Sequence, residues 1–199
     1  MSLTANQLLA ICQQVVNDPD FQPADGVTYC NEAVISILHQ TLNLHTFDGM
    51  LADDICAALA NDSAWSTGTT TDAQDAANSG GIAIAAATSA MISSWSGTPD
   101  SHGHVAIVCP GQMVPSGHWG CDAPLLANVG ATNGIMGANW AFIQQPLFYL
   151  YQGGTQPQPQ PKPQPQPQPQ PKPQPKPAQS FWKVLLNWLI SLLKKNSAN

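Results

Sequence analysis

The sequence predicts an α+β domain followed by two non-globular segments, and three observations lead there. Helical periodicity dominates the first sixty residues. Small-apolar and β-branched runs dominate residues 81–150. Composition then breaks abruptly at Gly153-Gly154. Helices first and strands later fit N-terminal helices packed on an antiparallel sheet. The expected boundaries are a globular body over 1–152, a Pro/Gln-rich extended linker over 153–179, and a cationic amphipathic helix over 180–196.

The elements follow in chain order. Leu8, Leu9, Ile11, Cys12, Val15 and Val16 recur at helical spacing and predict a helix over 3–17, stopped by Asn17-Asp18-Pro19. A polar loop precedes a second, strongly apolar helix from Asn31 to Leu44, with Ala33, Val34, Ile37 and Leu38 on its inner face. A third helix runs through Met50, Leu51, Ile55, Cys56 and Leu59, with Thr46 and Asp48 as its candidate caps. NDSAWSTGTTTD reads as a Ser/Thr/Gly loop, and DAQDAANSGG as a short helix ending at glycines. Strands are expected at 81–86, at 104–108, at 125–130, and at 140–143 and 147–150.

Charge separates the parts further. All twelve acidic residues lie between Asp18 and Asp122, and the body before Gly153 has neither Lys nor Arg. All six lysines lie beyond it, so a body of −12 and a tail of +6 give the net −6. A body without a basic residue has nothing with which to neutralise a phosphate backbone, which argues against nucleic-acid binding. Lysines confined to the last forty residues suit an anionic lipid leaflet or lipopolysaccharide.

The linker alternates Pro with Gln or Lys, which blocks helix and sheet and favours polyproline II, with a reach on the order of 70 Å at ~3.1 Å per residue. In the tail, Lys183, Asn187, Ser191 and Lys194 form one narrow polar stripe on an otherwise apolar helix. Its apolar stretch of about 20 Å falls short of the ~30 Å hydrocarbon core. Phe181, Trp182, Lys183, Trp188, Lys194 and Lys195 are therefore the candidate membrane-binding residues of an interfacial helix. The N-terminus carries no basic segment or cleavage site of a secretory signal, so synthesis in a host cytoplasm and action at the cell wall or periplasm and the membrane surface are expected.

Within the body, Tyr29-Cys30-Asn31 opens the second helix. A helix N-terminus lowers a thiol pKa and offers amide N–H groups to an oxyanion. His104 opens the strand HVAIV and suits a base held on a rigid element; Asn128, in LLANVG, is the best-placed residue to orient its ring. Asn133 and Asn139 compete for that role, and His102 lies two residues from the base. Cysteines Cys12 and Cys56 fall on apolar helix faces, while Cys109 and Cys121 are candidates to pair across a hairpin. A zinc reading gathers His102, His104, Cys109, His118 and Cys121, although their spacing fits no compact finger; His39 and His45 read as structural. Asp53-Asp54 reads as a solvated helix start, which disfavours a two-carboxylate glycosidase.

The segments Val27-Thr28-Tyr29-Cys30-Asn31 and Gly103-His104-Val105-Ala106-Ile107-Val108, with Ala76 to Ala83 between them, resemble the papain-like cysteine peptidoglycan hydrolases of the CHAP and NlpC type. The resemblance spans roughly 27–143 and implies a papain-like fold, with Cys30 as nucleophile, His104 as general base and Asn128 as orienting residue. Many relatives carry an acid or a second histidine at the third position, where this chain has only amides. The implied activity is thiol hydrolysis of a peptidoglycan amide bond by a monomer, without metal or cofactor, as in a phage endolysin. The partners are peptidoglycan and, through the tail, an anionic membrane or lipopolysaccharide. A toxin or effector with the same chemistry, delivered by another bacterium, is one alternative. A non-enzymatic wall- or membrane-binding protein is the other.

Overall fold

The computed structural model describes residues 3–24 and 26–153; the linker and the C-terminal amphipathic segment read from the sequence lie outside them. The chain enters through α1 (Ala5–Val16), whose Thr4 closes a capping box with Gln7, and passes a 3₁₀ turn (Pro19–Phe21) before α2 (Cys30–Leu42) and α3 (Ala52–Asn61). Strand β1 (Trp65–Gly68), α4 (Thr70–Asn78), β2 (Ala83–Ala87), α5 (Ser89–Ser96) and β3 (His104–Val108) follow. A small hairpin, β4 (Val114–Ser116) and β5 (Cys121–Ala123), precedes β6 (Leu125–Asn128), β7 (Gly134–Gly137), the single turn α6 (Ala138–Ala141) and β8 (Leu147–Tyr151).

Six strands form one antiparallel sheet in the order β1-β8-β2-β3-β6-β7, with β4 and β5 paired separately. The α+β class with an antiparallel sheet is therefore the observed one. The central strand β2 reads AIAAA and is buried at every position. Because alternate side chains point to opposite faces, continuous burial means that both faces are covered. Alanine on such a strand lets the covering helices approach closely, which accounts for the small-residue interior. Helices α2 and α3 pack on β3, α4 packs on β2 and β8, and α1 packs on β6 and β7.

Several expectations are corrected. Ser66 to Gly68 pair with β8 rather than looping, because Trp65 anchors the strand in the core; Thr69 and Asp72 then form the capping box that starts α4. Residues 138–141 turn helically, where a strand was expected over 140–143: the Phe142 amide bonds the Ala138 carbonyl, leaving Trp140 and Ile143 exposed. α3 begins at Ala52 after Leu51, without a side-chain cap, and Asp48 is taken up by His39 and His45 instead. Asp53 is not merely solvated, since its two oxygens accept the Ser89 amide at 2.7 Å and the Ser89 hydroxyl at 2.5 Å. That clamp, with the Thr88 cap, sustains the Ser-rich α5, which has no apolar periodicity to announce it. All five cysteines are free: Cys109 is buried beside Cys12 and Cys121 is exposed on β5, so they do not pair.

Gly80 is required where it stands. At φ +80° it closes α4, and a Cβ there would lie 2.3 Å from the Leu3 carbonyl oxygen. The residue thus lets α4 turn into β2 beneath the start of α1.

Candidate active site

Cys30 is the first residue of α2 and is buried at 7% exposure. The preceding Tyr29 supplies no side-chain cap, so the first-turn amides are not claimed by a capping oxygen. The backbone amides of Val105 on β3, Asn31 and Cys30 itself lie near enough to the Cys30 sulfur to favour its charged form. Val105 follows His104, and α2 packs on β3, so the thiol lies near the start of that strand. The sulfur and the imidazole also sense the same carboxylate, Asp100.

His104 is oriented from its far side. Its Nε2 lies 2.8 Å from Asn128 Oδ1, while Asn128 Nδ2 donates to the Thr132 carbonyl at 2.6 Å. The carbonyl settles which end of the amide is the donor, so Asn128 presents an acceptor to the ring. The proton of a neutral His104 therefore sits on Nε2, and Nδ1 keeps its lone pair. Phe142, 2% exposed, packs a tilted ring 5.0 Å from the imidazole centroid and excludes water from that side.

Of the three candidate amides, Asn128 is the one that bonds the histidine. Asn133 accepts the Gly130 amide and donates to the Phe21 carbonyl, bracing the loop after β6. Asn139 Oδ1 lies next to Gly137, where a Cβ would approach it to 2.6 Å. His102 is exposed on the turn before β3, held by its amide bond to Asp100 Oδ1. The proposed zinc set does not assemble: His104 is committed to Asn128, Cys109 lies in the core, Cys121 is exposed, and His118 packs edge-on against Trp119.

The electrostatics favour a neutral pair at rest. Burial pushes the Cys30 thiol up, and the three amides oppose that without reversing it; the Asp100 charge adds to the rise. Burial likewise lowers His104 below the usual histidine range, against the opposing Asn128 bond and Asp100 charge. A half-buried imidazole that is neutral near pH 7, with Nδ1 unprotonated, is equipped to accept a proton.

A cleft of about 300 Å³ opens over the thiol, lined by Val27, Thr28, Tyr29, Cys30, Leu51, His102 and Gly103 among others. Val27 and Leu51 are about half exposed and give it an apolar rim. The N-termini of α2 and α3, neither capped by a side chain, both face it. A wider hollow of about 490 Å³ shares Asn31, Glu32 and Leu51 with this cleft and extends past Phe21 and Ile35 to His39 and Asp48. Asn31 holds the junction by donating to the Met50 carbonyl at 2.8 Å.

The contributions of Val105, Phe142, Thr132 and Asp100 were not read from the sequence. Asp100 alone left a local signal, since Asp-Ser-His-Gly before a strand is a turn pattern. The chain matches no protein-family model and no curated protein. No helix among the described residues is long and apolar enough to cross a membrane.

Proposed function

We propose that the body is a papain-like cysteine amidohydrolase that cleaves an amide bond of bacterial peptidoglycan. We further propose that residues 180–196 bring it to an anionic envelope surface. The observation that carries the chemistry is Cys30 at the start of α2, packed on the strand that His104 opens, with His104 Nε2 held 2.8 Å from Asn128 Oδ1. The choice of peptidoglycan rests on the resemblance of the Cys30 and His104 segments to wall hydrolases, together with the segregation of all lysines into the tail.

In this reading His104 Nδ1 takes the thiol proton as the sulfur bonds to the amide carbon. The carbonyl π pair moves to oxygen, and the first-turn amides of α2 stabilise that oxyanion. His104 returns the proton to the leaving nitrogen as the C–N bond breaks, releasing the amine and leaving a thioester. Water then gives a proton to His104, attacks the thioester carbon and expels the sulfur, which regains its proton. Neither step needs a redox partner.

The decisive comparison is wild type against Cys30→Ala on purified peptidoglycan, followed by turbidity and by mass spectrometry of the released fragments. Loss of new amine and carboxylate ends in the variant supports the reading. Clearing at the wild-type rate removes the thiol mechanism. Deleting residues 180–199 is expected to leave hydrolysis of isolated wall intact while lowering lysis of whole cells with an outer membrane.

A further inference from the structure

His39, His45 and Asp48 meet at the far end of α2, about 14 Å along the helix from Cys30 at ~1.5 Å per residue. α2 ends at Asn43, which takes the left-handed conformation at φ +50° and folds the chain back on the helix. The reversal brings the His45 ring against that of His39, tilted by 38° with centroids 4.1 Å apart. Both rings then address one carboxylate: His39 Nε2 lies 2.6 Å from Asp48 Oδ1, and His45 Nδ1 lies 3.3 Å from Asp48 Oδ2. The other nitrogen of His45 is 3.4 Å from Asn43 Oδ1, the kind of outer contact that holds a ligating histidine in orientation.

We propose that His39 Nε2, His45 Nδ1 and a carboxylate oxygen of Asp48 form a binding site for a Zn²⁺-type divalent transition metal, with an open coordination position toward the 490 Å³ hollow. The donor set is borderline-soft nitrogen with one carboxylate, which suits Zn²⁺ and its neighbours rather than Ca²⁺ or Mg²⁺. The one-atom-per-residue donors lie within 4.8 Å of one another. Bonds of ~2.0–2.1 Å in a tetrahedral site put neighbouring ligand atoms about 3.3 Å apart, so the rings need only modest rotation to close on an ion. Side-chain exposures of 35%, 46% and 36% leave room for that rotation and for entry of the metal.

The surroundings are already organised. The ligands at 45 and 48 sit on one short loop, braced by the Asp48 amide on the His45 carbonyl and the Met50 amide on the Phe47 carbonyl. Phe47, 1% exposed, anchors that loop in the core. Asn31, beside the thiol, bonds the Met50 carbonyl, and Leu51 forms the wall of the Cys30 cleft. A bound ion therefore joins the end of α2 to the loop that leads to the cleft wall. The site does not depend on the thiol chemistry, and it is tested by binding rather than turnover.

The test uses the full chain carrying Cys30→Ser, treated with chelator and then titrated with ZnCl2 by calorimetry and with CoCl2 by visible absorption. One metal per chain is expected, with cobalt d–d bands and no thiolate charge-transfer band. A rise in Tm of about 5–10 °C is expected at a hundredfold excess of Zn²⁺ over Kd. Affinity is expected to fall at least tenfold in His39→Ala and again in His45→Ala, whose more exposed side chain makes it the safer variant for folding. Absence of binding at millimolar metal, a thiolate band, or affinity unchanged in both histidine variants overturns the site.

Discussion

His104 presents Nε2 to Asn128 Oδ1 at 2.8 Å, and Asn128 is itself held by the Thr132 carbonyl at 2.6 Å. An imidazole held this way carries its proton on Nε2 and leaves Nδ1 unprotonated. If the bond sets the tautomer, Asn128→Ala lowers kcat for amide hydrolysis by about 10²-fold with little change in KM. Asn128→Asp keeps the acceptor and adds a charge that favours imidazolium, so the acid limb of the pH–rate profile moves to higher pH. Steady-state kinetics across pH measures both; profiles of unaltered shape and height in the two variants would show that Asn128 does not position the base.

The pH dependence follows from burial. With His104 held below the usual histidine range and Cys30 above the usual thiol range, hydrolysis is expected to show a broad plateau around neutrality. Asp100→Asn keeps the oxygen that accepts the His102 and Gly103 amides but removes a charge that raises both groups. Both limbs then shift to lower pH, and iodoacetamide alkylates Cys30 faster at a given pH. A variant whose limbs stay put would refute the electrostatic role of Asp100.

His104 also ties stability to pH. Its folded-state pKa is depressed, so its contribution is complete above the unfolded-state value of ~6.5 and is lost as pH falls toward the folded value. Urea unfolding is expected to show wild type losing stability across that acid window relative to His104→Gln. Parallel curves for the two proteins would contradict it.

Gly103 enables the entry to β3. At φ +71°, a Cβ there would stand 2.5 Å from Asp53 Oδ1 and 2.7 Å from the Ala87 carbonyl oxygen. Gly103→Ala is expected to cost on the order of 2–4 kcal/mol, through left-handed strain and displacement of the Asp53–Ser89 clamp. Denaturant midpoints at constant m-value provide the measurement, and a loss below about 0.5 kcal/mol would mean the turn relaxes freely.

Thiol reactivity distinguishes the cysteines. Cys121 is exposed while Cys12, Cys30, Cys56 and Cys109 are buried, and burial beside the Asp53 charge pushes Cys56 up to about 12. A maleimide is therefore expected to modify one thiol quickly in the native chain, and Cys121→Ser abolishes that phase. Persistence of the fast phase in the variant would place another thiol at the surface.

Much of the body was legible because its signals are local. The periodicity of Leu8 to Val16 and of Ala33 to Leu38 and the alternation in HVAIV are set by the partition of side chains between water and core, which leaves its mark on each segment alone. The elements that escaped lack such a mark. β1 is a Ser/Thr/Gly strand after Trp65 and β7 a four-residue strand bounded by glycines, made by pairing with β8 and β6, and α5 is held by an acid thirty-six residues away. Trp140 and Ile143 look like strand residues, yet they stand exposed on a turn whose purpose is to lay Phe142 beside His104.

By itself the sequence determined the α+β class, the segregation of charge, and the candidacy of Cys30, His104 and Asn128, because composition and order along the chain carry those. Only the tertiary structure chose Asn128 over Asn133 and Asn139, since all three are chemically alike and only the pairing of β6 with β3 brings one of them to the ring. It likewise dispersed the His/Cys cluster between 102 and 121 and assembled another from His39, His45 and Asp48. Residues close in sequence on a strand and hairpin diverge to core and surface, whereas a helix end closed by a left-handed residue folds its neighbours onto one another.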